Sequence, residues 1–208
     1  MPVVCPTVTA AEPHQYREQM KLAASLSNRA HVDMADGKLA RKLIDPVQMW
    51  FPDDITIDLH MMVRQPLKYL DTILNLRPSL AIIHAEAEGD FAALADQLHE
   101  VGIKVGVALL QDTTIETIKP ALYMIDHVLI FSGHLGHFGG HADLHLLTKV
   151  KALKDLKPNL EIGWDGGIDD GNADVLAKGG VDVLNVGGFI QRAHDPKAAY
   201  AKLNSIVK

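Results

Sequence analysis

The chain has 208 residues, of which 48% are hydrophobic and 22% charged, with a formal net charge of −6 and a single cysteine. These are the values of one globular domain with a core large enough to need no disulfide. Cys5 has no second cysteine to pair with, which points to a reducing, cytoplasmic setting and to a small buried core residue. The acidic balance, with no Lys/Arg-rich run, argues against a nucleic-acid partner. No apolar run nears the roughly 20 residues that span a bilayer, and the N-terminus lacks the features of a signal peptide.

Short aliphatic runs alternate with helix-like ones from end to end. Val3–Val8 is predicted as a strand and Glu12–Ala24 as a helix. Ala30–Asp33 is the second strand, followed by a short helix from Asp45-Pro46 through Trp50. Ile55–Val63 is the third strand, with Pro66–Leu74 as its helix, Pro66 suiting a first helical turn. Strand Leu80–His84 precedes the amphipathic run Phe91–Val101. Strand Ile103–Leu110 precedes a helix over Thr114–Met124. Strand His127–Ser132 precedes Leu144–Leu156, and strand Leu160–Trp164 precedes Asp170–Lys178. Val181–Val186 and Pro196–Val207 close the chain. Eight strand–helix units in 208 residues, with no linker or second domain, predict one α/β domain over residues 1–208. Parallel strands with right-handed crossovers in that number make a (β/α)₈ TIM barrel.

Active sites of such barrels sit at the C-terminal ends of the strands. There the sequence places His31 and Asp33, then His60, then Asp165. Side chains two residues apart on a strand share a face, so His31 and Asp33 project together, as do Asp58 and His60. Two imidazoles and two carboxylates suit Zn²⁺, and also Fe²⁺, Mn²⁺ or Co²⁺. Asp36 begins an Asp-Gly turn and reads as a turn carboxylate. Asp58 reads as a residue that orients an imidazole rather than a ligand. Glycine pairs follow the last three strands, at Gly139-Gly140, Gly166-Gly167 and Gly187-Gly188, where backbone N–H groups can approach a phosphate. The loop carrying His134, His137 and His141 is too rich in glycine for a helix to align a second metal site and reads as a phosphate-side lid. Trp50, Trp164 and the methionines read as packing.

His31-Val-Asp33-Met-Ala-Asp-Gly37, Asp58-Leu-His-Met-Met-Val63, His84-Ala-Glu-Ala87, Lys104-Val-Gly106, Phe138-Gly-Gly140 and Trp164-Asp-Gly-Gly-Ile168 together resemble the ribulose-phosphate 3-epimerase family, along nearly the whole chain. The resemblance implies that one divalent metal ion is held by His31, Asp33, His60 and Asp165, and that Asp33 and Asp165 are the acid/base pair. It implies substrate contacts at Thr7, His60 and Met62 and a phosphate cradle of Gly139, Gly140, Gly166, Gly167, Gly187 and Gly188. The implied reaction interconverts D-ribulose 5-phosphate and D-xylulose 5-phosphate by proton transfer between two carboxylates through an enediolate. It further implies a homo-oligomer.

The departures lie in the lining. Ala35 and Phe131 stand where the family has methionines, while Met62 keeps the third. The loop after the sixth strand is one residue longer. Lys38-Leu-Ala-Arg-Lys42 replaces an aromatic-proline loop, and Gly188 replaces a common serine. These changes bear on which sugar is accepted more than on the reaction. They keep open an epimerase of another ketose phosphate, such as a hexulose 6-phosphate, and a sugar-phosphate-binding barrel without turnover. The Asp-x-Lys-x-x-Asp arrangement of related decarboxylating barrels is absent, Ala35 standing in the lysine position.

Overall fold

Eight strands of four to seven residues, nearly all buried, pair in sequence order and close on themselves. They are β1 Val3–Val8, β2 Arg29–Ala35, β3 Thr56–Met62, β4 Leu80–His84, β5 Lys104–Leu109, β6 His127–Phe131, β7 Glu161–Asp165 and β8 Val183–Val186. All pairings are parallel, and β8 returns to β1 through Val3↔Val183 to Pro6↔Val186. The computed structural model describes all residues except His134, Gly136, His137, Phe138 and Gly139.

Strand alternation divides the buried side chains into two sets. Ala30, Val32 and Met34 of β2 and Ile57, Leu59 and Met61 of β3 face outward, where they pack with Tyr16, Met20 and Ala23 of α1 (Pro13–Leu26). Those helix positions recur at helical spacing, so one stripe of α1 covers the barrel wall. The same logic holds for Leu94, Ala95 and Leu98 of α3 (Phe91–Glu100), whose N-cap Asp90 accepts from the Ala93 N–H at 3.0 Å. α2 (Leu70–Leu76) and α4 (Leu147–Leu156) complete the middle of the outer layer, and α5 (Ala173–Lys178), α6 (Gly188–Gln191) and α7 (Pro196–Ile206) its end.

The expected (β/α)₈ order is present, with local corrections. The helix expected over residues 114–124 is two 3₁₀ turns, Ile115–Thr117 and Lys119–Met124. A continuous α-helix would need an N–H at Pro120 for the Glu116 carbonyl, and proline has none. The residues after Asp45 form a 3₁₀ turn, Pro46–Gln48, and Pro66–Tyr69 is another before α2. α5 starts at Ala173 rather than Asp170, because Asp169 Oδ1 first accepts from Gly171 and Asn172 in a turn. β8 starts at Val183, since the Val181 N–H is taken by the Leu176 carbonyl closing α5.

The interior is layered along the barrel axis. At the N-terminal end, Arg29 donates to Glu161 through two nitrogens at 2.8 Å each and to Asp58 Oδ2 at 2.8 Å. Nδ1 of His127 lies 2.8 Å from Glu161 Oε2. A Cβ on Gly163 would sit 2.6 Å from His127 Nε2, so the missing side chain makes room for that ring. This ionic floor corrects the reading of Asp58. Strand parity turns it inward with His60, but it sits one layer lower and pairs with Arg29 rather than with an imidazole. Above the floor Leu80, Ile82, Ala108 and Leu129 form an apolar layer. The polar strand ends lie above that.

Candidate metal centre and active site

The register of β2 against β3 places Asp33 opposite His60 and His31 opposite Asp58. Nδ1 of His60 is 3.0 Å from Asp33 Oδ1 and 3.9 Å from Asp165 Oδ2. Nε2 of His31 is 3.4 Å from Asp33 Oδ1 and 3.8 Å from Asp165 Oδ2. One ligand atom from each of the four residues falls within 4.8 Å of all the others. Atoms about 2.1 Å from a common tetrahedral centre lie about 3.4 Å apart, so the set matches the span of a first-row divalent ion. His31 is fully buried, yet neither of its ring nitrogens has a hydrogen-bond partner among the described residues. Such an orphaned group is costly unless a ligand completes it. The donor set fits a metal.

The metal-free electrostatics split the two carboxylates. Burial alone would raise Asp33, but the nearby His31 and His60 imidazoles more than offset this and hold it well below the usual carboxylate range. Burial pushes the Asp165 carboxyl up to about 7, and the nearby Asp33 charge adds to the rise. Burial likewise lowers His60, to about 3, whereas for His31 the Asp33 carboxylate outweighs burial and raises it.

Around this cluster opens a cavity of about 290 Å³, lined among others by Thr7, Met62, Phe131, Gly166 and Gly187. The Thr7 hydroxyl is buried without a partner among the described residues. Gly140 and Gly188 also line it. Gly166 and Gly167 have φ of +106° and +72°, and a Cβ on either would sit 2.2 Å from the backbone N of Gly133 or Ala142. No other residue fits there. Gly139, His134 and His137 lie outside the described residues, and His141 contributes its carbonyl to the Ser132 hydroxyl at 3.4 Å. Asp36 accepts from the Lys38 N–H at 2.9 Å, as expected of a turn carboxylate. Trp164 is fully buried, whereas Trp50 is 41% exposed and its carbonyl accepts from the Tyr16 hydroxyl.

Three residues of the site were given no role by the sequence, although His84 stands in one of the motifs that carry the resemblance. The Thr9 hydroxyl donates to Asp33 Oδ2, while its own N–H is held by Gln19 Oε1 at 2.8 Å. His84 meets His60, Nε2 to Nε2, at 2.8 Å. Asn185 pairs in register with Asp165, and both ends of its buried amide lack a partner among the described residues. Each is a polar residue facing inward on, or directly after, a largely apolar strand. That inward parity is the signal that marks them.

Comparison with known proteins agrees with this geometry. The model of the ribulose-phosphate 3 epimerase family matches residues 3–191. A protein of Helicobacter pylori named ribulose-phosphate 3-epimerase is 31% identical over 98% of this chain and 97% of its own. One of Schizosaccharomyces pombe with the same name is 30% identical over 88% of this chain and 83% of its own. Among solved structures, a 3-hexulose-6-phosphate synthase superposes with a TM-score of 0.73 at 13% identity, covering all of both chains. A phosphoribosyl anthranilate isomerase of Thermus thermophilus gives 0.70 at 17%, over 99% of this chain and all of its own. At such identities these two likenesses concern the fold alone. The relatives at about 30% identity and the family match carry more: the chain belongs to the ribulose-phosphate 3 epimerase family.

Proposed function

We propose that the protein is a metal-dependent epimerase acting at C3 of a ketose phosphate, interconverting D-ribulose 5-phosphate and D-xylulose 5-phosphate. The observation that carries this reading is the meeting of two buried imidazoles, the buried Asp33 and the partly buried Asp165 within 4.8 Å at the barrel mouth. The substrate pair follows from the relatives named ribulose-phosphate 3-epimerase.

His31, Asp33, His60 and Asp165 would hold one divalent ion, with Zn²⁺, Fe²⁺, Mn²⁺ and Co²⁺ all suited to two imidazoles and two carboxylates. When bound, the ion supplies Lewis acidity that stabilises negative charge next to the carbon losing its proton. Asp33 and Asp165 are the acid/base pair. In one direction Asp33 takes the C3 proton and Asp165 returns one to the opposite face; the reverse reaction exchanges the roles. Thr7, His60 and Met62 contact the sugar. Gly139, Gly140, Gly166, Gly167, Gly187 and Gly188 receive the phosphate through backbone N–H groups, which fixes C3 for proton transfer. The single cysteine, buried and free, suits the reducing cytoplasm, and among the described residues no helix is long and apolar enough to cross a membrane. A homo-oligomer is part of the same reading.

A second substrate, a six-carbon ketose phosphate, is raised by the altered loop that follows β6, whose last residue, Phe131, stands on the cavity wall. Turnover of D-ribulose 5-phosphate and of a hexulose 6-phosphate, compared as kcat/KM, tests both. Preference for the pentulose is expected, preference for the hexulose moves the assignment, and no turnover of either rejects the epimerase.

A further inference from the structure

The motif His84-Ala-Glu-Ala87, which closes β4 and opens the loop after it, has no role in the reaction just described, yet it touches the site at one atom. The rings of His60 and His84 are inclined by only 26° with centroids 4.9 Å apart, so they meet edge to edge through the 2.8 Å contact of their Nε2 atoms. Two nitrogens at that distance share one proton: one ring donates and the other accepts. Beyond, His84 Nδ1 is 3.2 Å from Glu86 Oε2. Oε1 of Glu86 accepts from the Thr113 hydroxyl and, at 3.4 Å, from the Leu110 N–H. Lys149 pins that loop by donating to the carbonyls of Leu110, Gln111 and Thr113 at 2.9, 2.7 and 2.7 Å.

The order of donors is set from the outer end. An ionised carboxylate can only accept, so the proton between Glu86 and His84 sits on His84 Nδ1. A neutral His84 then has a bare Nε2, and the proton between the rings belongs to His60 Nε2. What remains bare is His60 Nδ1, the nitrogen that faces Asp33 and Asp165. We propose that His84 and Glu86 are positioning residues that hold His60 in its Nε2–H form and so present Nδ1 to a divalent cation. The proposal rests on the metal-centre reading given above. Asp33 Oδ1, 3.0 Å from the same Nδ1, favours the opposite form in the metal-free protein; a cation reverses that preference by taking Nδ1 and the carboxylate together. His60 and His84 are buried, and Phe131 packs 5.8 and 6.0 Å from their rings, so water does not replace the relay. Partners behind a ligating histidine fix its form and orientation in this manner.

The test uses chelator-stripped full-length protein titrated with Zn²⁺ against a competing indicator, together with ¹⁵N spectra of the histidine rings in the zinc-loaded state. His84→Phe weakens zinc binding about 10- to 100-fold. His84→Gln, whose amide oxygen accepts close to where Nε2 stood, recovers most of the loss. Glu86→Ala, at a side chain already 23% exposed, weakens binding less and releases the proton from His84 Nδ1. It carries the test alone if His84→Phe does not fold. The wild-type spectrum shows His60 protonated on Nε2. Unchanged zinc affinity in the folded variants, or His60 protonated on Nδ1 with zinc bound, overturns the relay. A wild type that takes up no zinc, iron, manganese or cobalt overturns the metal-centre reading itself, and the relay with it.

Discussion

Asp33 Oδ1 lies 3.0 Å from Nδ1 of His60, the residue directly opposite it in the register of β2 and β3. Its other oxygen accepts from Thr9. One carboxylate therefore faces the ligand cluster with one oxygen and a fixed hydroxyl donor with the other, which holds its plane in place.

Asp33→Asn and Asp165→Asn each remove a charge and a proton acceptor while keeping size. Each variant loses at least about 10²–10⁴-fold in kcat/KM, the range of a general acid or base. Steady-state kinetics at saturating metal check this, and near-normal turnover in either variant rejects that residue's role.

Metal uptake is proton-linked. In the metal-free protein His31 and Asp165 both hold protons more firmly than their ordinary values, Asp165 up to about 7. Raised groups are protonated on the acid side, and a ligand must shed its proton, so affinity falls as pH drops. Zinc affinity weakens about tenfold per pH unit for each proton displaced, below pH about 7. Competition titrations at pH 6, 7 and 8 measure it, and a flat profile contradicts the assignment.

Thr9→Val keeps the shape and the Gln19 contact to the backbone but removes the hydroxyl on Asp33. A hydrogen bond to a charged group contributes about 1.5–3 kcal/mol, so turnover falls roughly 10- to 100-fold. Losing a donor makes Asp33 more basic, so the acid limb of the kcat/KM profile moves to higher pH. An unchanged profile argues against the contact.

The barrel floor predicts stability rather than activity. Arg29→Met leaves Asp58, 1% exposed, without its cation and costs about 3–5 kcal/mol in urea unfolding. Burial would raise Glu161, but Arg29 and His127 outweigh it and hold it well below its ordinary value. For a depressed carboxylate, the stabilisation is present above the unfolded value of about 4.3 and is lost as pH falls below it. Thermal unfolding between pH 6 and 3 shows this, with a shallower fall in Glu161→Gln.

Much of this was legible because period two is a strict rule on strands. Counting by two puts His31 on one face with Asp33 and His60 on one face with Asp58, Asp165 is marked as a polar strand end, and eight strand–helix units suffice for the barrel. Parity says which face, not which layer, and that is why Asp58 was read beside His60 when it sits lower with Arg29. Arg29 and Glu161 stand at strand starts 132 residues apart, a separation no local pattern connects. The roles of Thr9 and His84 were hidden for a related reason: their partners, Asp33 and His60, lie on neighbouring strands and come into reach only when those strands pair. The helix over 114–124 failed on one residue, Pro120.

The most direct test of the central claim is deuterium incorporation at C3 when D-ribulose 5-phosphate is incubated with the enzyme in D₂O, with and without chelation. The account predicts D-xylulose 5-phosphate carrying deuterium at C3, formed by the metal-loaded wild type, suppressed by chelation and restored by Zn²⁺, Fe²⁺, Mn²⁺ or Co²⁺. Product without C3 deuterium, or undiminished turnover in fully chelated protein, would contradict it.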